Sequence, residues 1–202
     1  MSLPYLMVLM ATIGLGPTLL MEIYLPAKDW ETQQIAVDNA ATVMAKGDRE
    51  LFNELIAFNK TMKILDSAHD GFHLCKNSPP PAGPACKSAD ALAEVKIRAA
   101  HTLALNAARA KWLANTAAGL RELGKLETNF IQWERSELAP IHSEICKVCG
   151  LQTTIEIDKA PVVTFIRADS KVPIGVLSEV GGKTLNGSSK WNYKLKTGEE
   201  RL

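Results

Sequence analysis

Hydrophobic positions along this chain follow three successive patterns, and each predicts a different element. Between Leu3 and Leu25 the run is apolar with a single formal charge, Glu22, and Lys28 brings the first positive side chain. These 23 residues make a helix of roughly 34 Å at about 1.5 Å per residue, long enough for a hydrocarbon layer of about 30 Å. A secretory signal starts with basic residues and closes on a small-x-small tripeptide. Here no Lys or Arg precedes the apolar run, and Leu25-Pro26-Ala27 puts a large residue where a small one belongs. The stretch 1–27 therefore reads as a retained transmembrane or filament-core helix.

Polar residues then return at helical spacing. In "DWETQQIAVDNAATVMA", Trp30, Val37, Ala41 and Met44 recur on one face, Gly47 is the expected stop, and Asp48 is the expected N-cap of a further helix. That helix carries Leu51, Phe52, Leu55, Ile56, Met62 and Leu65 as an apolar stripe, which needs a partner. "CKNSPPPAGPAC" follows, and its four prolines and single glycine predict a loop from Cys75 to Cys86. Ser88 is the expected cap of the partner helix, running from Ala89 to about Leu138. Leu92, Val95, Ala99, Leu103, Trp112, Leu120, Leu123, Phe130 and Trp133 are expected toward its buried side. Some 50 residues of helix would reach roughly 75 Å, so a break is expected near Gly119 or Gly124.

Beyond Pro140 the pattern changes to β-branched residues. "LQTTIEID", "PVVTFIRAD" and "VPIGVLSEV" predict three strands, and Lys190 to Lys196, with Trp191, Tyr193 and Leu195 alternating with polar residues, predicts a fourth. The expected fold is α+β, with an N-terminal transmembrane helix, a long helical hairpin and a small C-terminal antiparallel β-sheet. The expected divisions are 1–27 for the membrane or filament helix, 28–139 for the hairpin and 140–202 for the β-rich region.

Charge removes one class of partner. The 202 residues carry a net charge of +1 and 6% aromatics, whereas nucleic-acid binding needs a concentrated basic surface. Membrane lipid and other protein subunits, including further copies of the chain, are the expected partners, and nucleic acid is not.

The four cysteines fall in two local pairs, as disulfides of an oxidising compartment do. Cys75 and Cys86 bracket the proline loop, where one ends a helix and the other precedes the next, so a bridge would clamp the hairpin. Cys146 and Cys149 form "CKVCG", a spacing that serves structure, metal binding and thiol exchange alike. A structural disulfide is the preferred reading, with Gly150 available for the turn. A thiol-redox or metal protein built on Cys146 and Cys149 is kept as an alternative. Haem attachment fails because Gly150 stands where histidine is required.

No nucleotide-binding, zinc-protease or nucleophile-elbow motif is present. No cofactor, no metal and no catalytic residue are expected, and the chain is not expected to be an enzyme. His69 and His73 are four apart beside Asp70 and make a candidate metal pair, although plain surface or capping roles are preferred. Asn59-Lys60-Thr61 and Asn186-Gly187-Ser188 match the glycosylation tripeptide, a pattern that recurs by chance. Glu22 is read as lying at the headgroup level, with pairing to a neighbour's amine in a filament core as the alternative. Gly14 and Gly16 would let like helices approach closely.

The apolar helix passing without a linker into "ETQQIAVDNAATVMAKG", with Gln34, Asp38, Ala40 and Ala41 at a Q-x-x-x-D-x-A-A spacing, resembles the tight-adherence (Tad) pilus proteins of the TadE/TadG-like, pseudopilin-like kind. The alanine-rich "RAAHTLALNAARAKW" and the β-rich end look similar too, and the resemblance covers about 45 residues. It implies a membrane-anchored, non-enzymatic subunit of a bacterial pilus or surface filament, with an extracytoplasmic domain at the inner membrane or a place in the extracellular filament. Lysines and arginines lie C-terminal to the apolar run, which by the positive-inside rule favours a cytoplasmic domain. The cysteines favour the opposite side, and long domains translocate largely regardless of charge. A single-span periplasmic sensor or binding module is the alternative from another class.

Overall fold

The computed structural model describes residues 3–126, 130–136, 141–145, 151–157, 162–169, 174–182 and 191–197. Side chains are described from residue 27 onward, except in 141–145 and at some strand ends. Two helices come first, α1 (Leu3–Cys75) and α2 (Ala82–Leu123). Six strands follow: β1 (Phe130–Arg135), β2 (Ile141–Ile145), β3 (Gln152–Ile157), β4 (Val162–Asp169), β5 (Ile174–Gly182) and β6 (Trp191–Thr197). Strands β1-β4-β5-β6 form one antiparallel sheet and β2-β3 an antiparallel pair. This is the expected α+β combination of a long helical hairpin with a small antiparallel sheet.

Several local expectations are corrected. The chain does not stop at Gly47 or restart at Asp48, because α1 is one helix of 73 residues. Both residues are used for packing across the hairpin. The proline segment loops only as far as Pro81; Ala82, Pro84 and Cys86 already belong to α2. Proline is tolerated there because the N–H groups of a first helical turn have no intrahelical acceptor. Ser88 lies within the helix and donates back to the Ala85 carbonyl at 2.9 Å, so it is no cap. Helix α2 ends before Gly124, one of the two expected breaks. Phe130 and Trp133 then lie in strand β1 instead of on a helix face.

The hairpin and the sheet share their cores. Val37, Ala40 and Ala41 of α1 and Leu123 of α2 pack with Ile166, Ala168, Ile174 and Val176 of the sheet. Leu51, Phe52 and Leu55 with Ala108 and Trp112 pack against Ile155, Val162 and Val180. Period-two alternation is visible in β4, where Val162, Thr164, Ile166 and Ala168 are buried and the residues between them are less so. Near the hairpin end a smaller cluster joins Met62, Ile97 and Leu151.

The buried face of α2 is made of Ile97, His101, Ala108, Trp112, Gly119 and Leu123. Leu92, Val95 and Leu103, expected inside, lie on the opposite side and are exposed. Among the described residues no helix is long and apolar enough to cross a membrane. The apolar stretch forms the start of α1, and the side chains of 1–26 lie outside the described ones.

Candidate functional site

The hairpin has one register along its whole length, set where it turns. Cys75 and Cys86 form the expected disulfide, with Cα atoms 5.8 Å apart, within the range a bridge requires. Residues equally distant from this bridge face each other. Asp90 lies between the levels of His69 and His73, Lys111 meets Glu54 at 2.5 Å, Asn115 meets Gly47 and Asp48, and Gly119 meets Met44. A Cβ added at Gly47 would collide with the Asn115 carboxamide, and one at Gly119 with the Met44 side chain. The mid-helix glycines are therefore points of close approach, where a missing side chain makes room for one from the facing helix.

At the middle of the hairpin this register builds a buried charge centre. Asp48 is fully buried, accepts from Asn115 Nδ2 at 3.3 Å, and is paired through both carboxylate oxygens with the guanidinium of Arg135 on β1. Arg135 also donates to Thr116 Oγ1 and lies over the Trp112 ring, 3.7 Å from its centroid. Three elements thus meet at one ion pair. Burial pushes the Asp48 carboxyl above the usual carboxylate range, against the opposing pull of the Arg135 charge and of hydrogen bonds from Arg135 and Asn115. With no open approach for a reactant, this centre fixes how α1, α2 and the sheet dock.

Further along, Asn59 is clamped to β3: its Nδ2 donates to the Ile155 carbonyl at 2.6 Å and its Oδ1 accepts from Ile155 N at 2.9 Å. An amide used twice in this way is committed to docking the strand, not to carrying a glycan. Asn186 lies outside the described residues. Nearby His101 is buried, with Nε2 lacking a hydrogen-bond partner. Burial lowers its pKa from the ordinary 6.5, with the Thr154 backbone hydrogen bond pulling the other way.

The hairpin end is different in kind. His69 and His73 share one face of α1, and Asp90 reaches them from α2. His69 Nε2 is 3.1 Å from Asp90 Oδ1, and His73 Nδ1 is 3.6 Å from Asp90 Oδ2. Lys76 Nζ stands 2.9 Å from His73 Nδ1 and 3.4 Å from Asp90 Oδ2. Asp90 was the member missed from sequence. The cysteine pairing was the signal for it, since a hairpin clamped at Cys75 and Cys86 brings residue 90 level with residues 69–73.

The remaining predicted positions divide as follows. Gln34 Nε2 donates to Asp38 Oδ1 at 2.8 Å and lies 3.5 Å from the Gly175 carbonyl, while Ala40 and Ala41 are buried against the sheet. The residues that carry the family resemblance thus serve helix-to-sheet docking. Gly14, Gly16 and Glu22 fall within α1, their side chains outside the described set, and Cys146 and Cys149 lie outside the described residues. Leu92, Val95, Ala99 and Leu103, expected toward the buried side, instead form with Ala110 and Leu113 an exposed stripe on the back of α2, at multiples of three and four residues; Leu103 is 72% exposed. Comparison with known proteins finds no family model that matches this chain, and no curated protein or solved structure that resembles it.

Proposed function

We propose that this chain is a membrane-anchored, extracytoplasmic subunit of a bacterial pilus or surface filament assembly, with a structural role and no catalysis. The observation that carries this reading is the continuity of α1. Its 73 residues span about 110 Å at 1.5 Å per residue. From Gln33 onward it packs in the hairpin and on the sheet, residues 27–32 are exposed, and the part before them is the apolar run. A helix shared in this way leaves no hinge between anchor and domain, so lateral packing of the apolar segments would set the spacing of the domains they carry.

Two further features support the reading. The disulfide at the hairpin end suits an oxidising compartment. The apolar stripe on the back of α2 faces away from the chain's own core, and exposed apolar stripes of this kind mark contact surfaces. In the assembly the stripe would meet neighbouring copies, while Gly14 and Gly16 would allow close approach of the anchor helices.

The test is fractionation together with topology. Carbonate-washed membranes, or filaments sheared from the cell surface, are expected to retain the chain with residues 1–27 attached. A phosphatase fused after Leu202 is expected to be active outside the cytoplasm. Recovery of the chain in the soluble fraction with residues 1–27 still attached contradicts the proposal.

A further inference from the structure

The hairpin end carries more chemistry than clamping a turn requires. Histidines at i and i+4 project from one side of a helix, and His69 and His73 are joined by the carboxylate of Asp90 from the facing helix, with ligand atoms of all three within 4.8 Å of one another. His69 is the buried member, its side chain 3% exposed, and its Nδ1 has no hydrogen-bond partner. Although His69 Nε2 lies 3.1 Å from Asp90 Oδ1, the two do not align as a hydrogen bond, so this oxygen is left without a donor as well. Buried polar atoms left unmatched cost stability. Asp90 Oδ1 faces His69 Nε2 across the two helices, while Nδ1 lies on the other side of the same ring.

The geometry points to a divalent-metal site of the zinc class at the hairpin end, with His69, His73 and Asp90 as its protein ligands. Two imidazole nitrogens and a carboxylate suit zinc, and three protein ligands leave a fourth position for water. Tetrahedral ligands about 2.0–2.1 Å from an ion stand about 3.3–3.4 Å apart. The two nitrogen-to-oxygen separations, 3.1 Å to Asp90 Oδ1 and 3.6 Å to Asp90 Oδ2, lie near that value, so a turn of the carboxylate presents one oxygen to both histidines. His73, with 35% of its side chain exposed, is free to close the remaining distance. Ligand atoms of Asp66 and Asp70 approach His69 as well, as the carboxylates that orient metal-bound histidines do. The Lys76 ammonium sits between His73 and Asp90, 2.9 Å from His73 Nδ1 and 3.4 Å from Asp90 Oδ2. Loading requires it to swing out, which its flexible stem and partial exposure permit. The bound ion would tie α1 to α2 beside the disulfide.

The experiment uses the untagged full chain in detergent micelles, stripped with chelator. Titration with Co²⁺, followed by its ligand-field absorption, and Zn²⁺ competition against a chromogenic chelator should both give one ion per chain. Since losing an outer-shell partner of a metal site typically costs about 10–100-fold in affinity, His73→Ala should weaken zinc by more than about 100-fold. Asp90→Asn should weaken it strongly as well. Lys76→Met should bind severalfold more tightly, a gain that a merely structural cluster would not show. Circular dichroism checks that each variant is folded, and the partly exposed His73 keeps the test valid if Asp90→Asn does not fold. No stoichiometric binding, parental affinity in folded His73→Ala, or loss of binding only when Cys146 and Cys149 are replaced by serine would overturn the site.

Discussion

The middle and the end of the hairpin place charged groups between the same two helices, with opposite results. At the middle, Asp48 and Arg135 are both deeply buried and answer each other charge to charge, with Asn115, Thr116 and the Trp112 face around them and only Arg135 Nε left without a hydrogen bond. At the end, His73, Asp90 and Lys76 sit partly open beside the buried His69, and buried atoms of His69 and Asp90 remain unmatched. The middle centre joins three elements and has no position for a ligand. The end cluster joins two helices and brings ligand atoms of His69, His73 and Asp90 within 4.8 Å of one another. A buried charge that meets its opposite specifies docking, whereas imidazole and carboxylate groups gathered from two helices make a place for a metal cation.

The sharpest way to break this comparison is at the middle. Asp48→Ala leaves the Arg135 guanidinium buried without its partner and should cost about 3–5 kcal/mol in chemical denaturation. The double variant Asp48→Leu with Arg135→Met removes both charges and should recover most of that loss, because desolvating the pair offsets much of its attraction. A double variant as unstable as the single one would show that the centre contributes energy rather than docking specificity.

Removing the bridge is next in size. Cys75→Ser with Cys86→Ser should lower stability by roughly 2–3 kcal/mol on the chain-entropy account of loop closure, while the circular-dichroism helix signal is kept. A fully cooperative loss of the hairpin would place the bridge, and not the shared core, as its main support.

Gly47 gives a prediction of sign. At an ordinary helix position Gly→Ala stabilises by about 1 kcal/mol. Here the new methyl meets Asn115, which is held by its bond to Asp48, so Gly47→Ala should destabilise by about 1 kcal/mol net as overpacking outweighs propensity. Stabilisation would restore the reading of Gly47 as a mere helix breaker.

The smallest effect belongs to His101. Its folded pKa is depressed by burial, so below the ordinary value of 6.5 the unfolded chain takes up a proton that the folded chain refuses. Stability present above that pH should fall as pH drops through it and level off below the folded value. His101→Gln should flatten this part of the stability profile, and an unchanged slope would remove His101 as its source.

The legible parts of the fold were those with local causes. Four strands followed from β-branched alternation, and the hairpin followed from an apolar stripe, a proline segment and two bracketing cysteines. The misread parts have long-range causes. Gly47 and Asp48 look like a stop and a cap, because nothing local announces that Asn115 and Arg135 will meet them. Strand β1 reads as helix in the sequence because Phe130 and Trp133 are three apart, a spacing that fits a helical face, and most of the strand's side chains are exposed. In the same way Leu92, Val95 and Leu103 lie on a regular stripe that the sequence alone assigns to a core. The structure puts the core on the opposite face, where Ile97, His101, Ala108 and Trp112 meet α1 and the sheet. The histidine pair was visible in sequence, but its carboxylate needed the hairpin register.

The central claim is that α1 carries its apolar end into an assembly of like chains, and electron microscopy of material sheared from cells producing the native protein tests it most directly. The account predicts filaments in which residues 1–27 of neighbouring copies pack side by side and the α2 stripe around Leu103 is covered by an adjacent copy. Filaments that lack the chain, or a chain present only as isolated copies with that stripe bare, would contradict it.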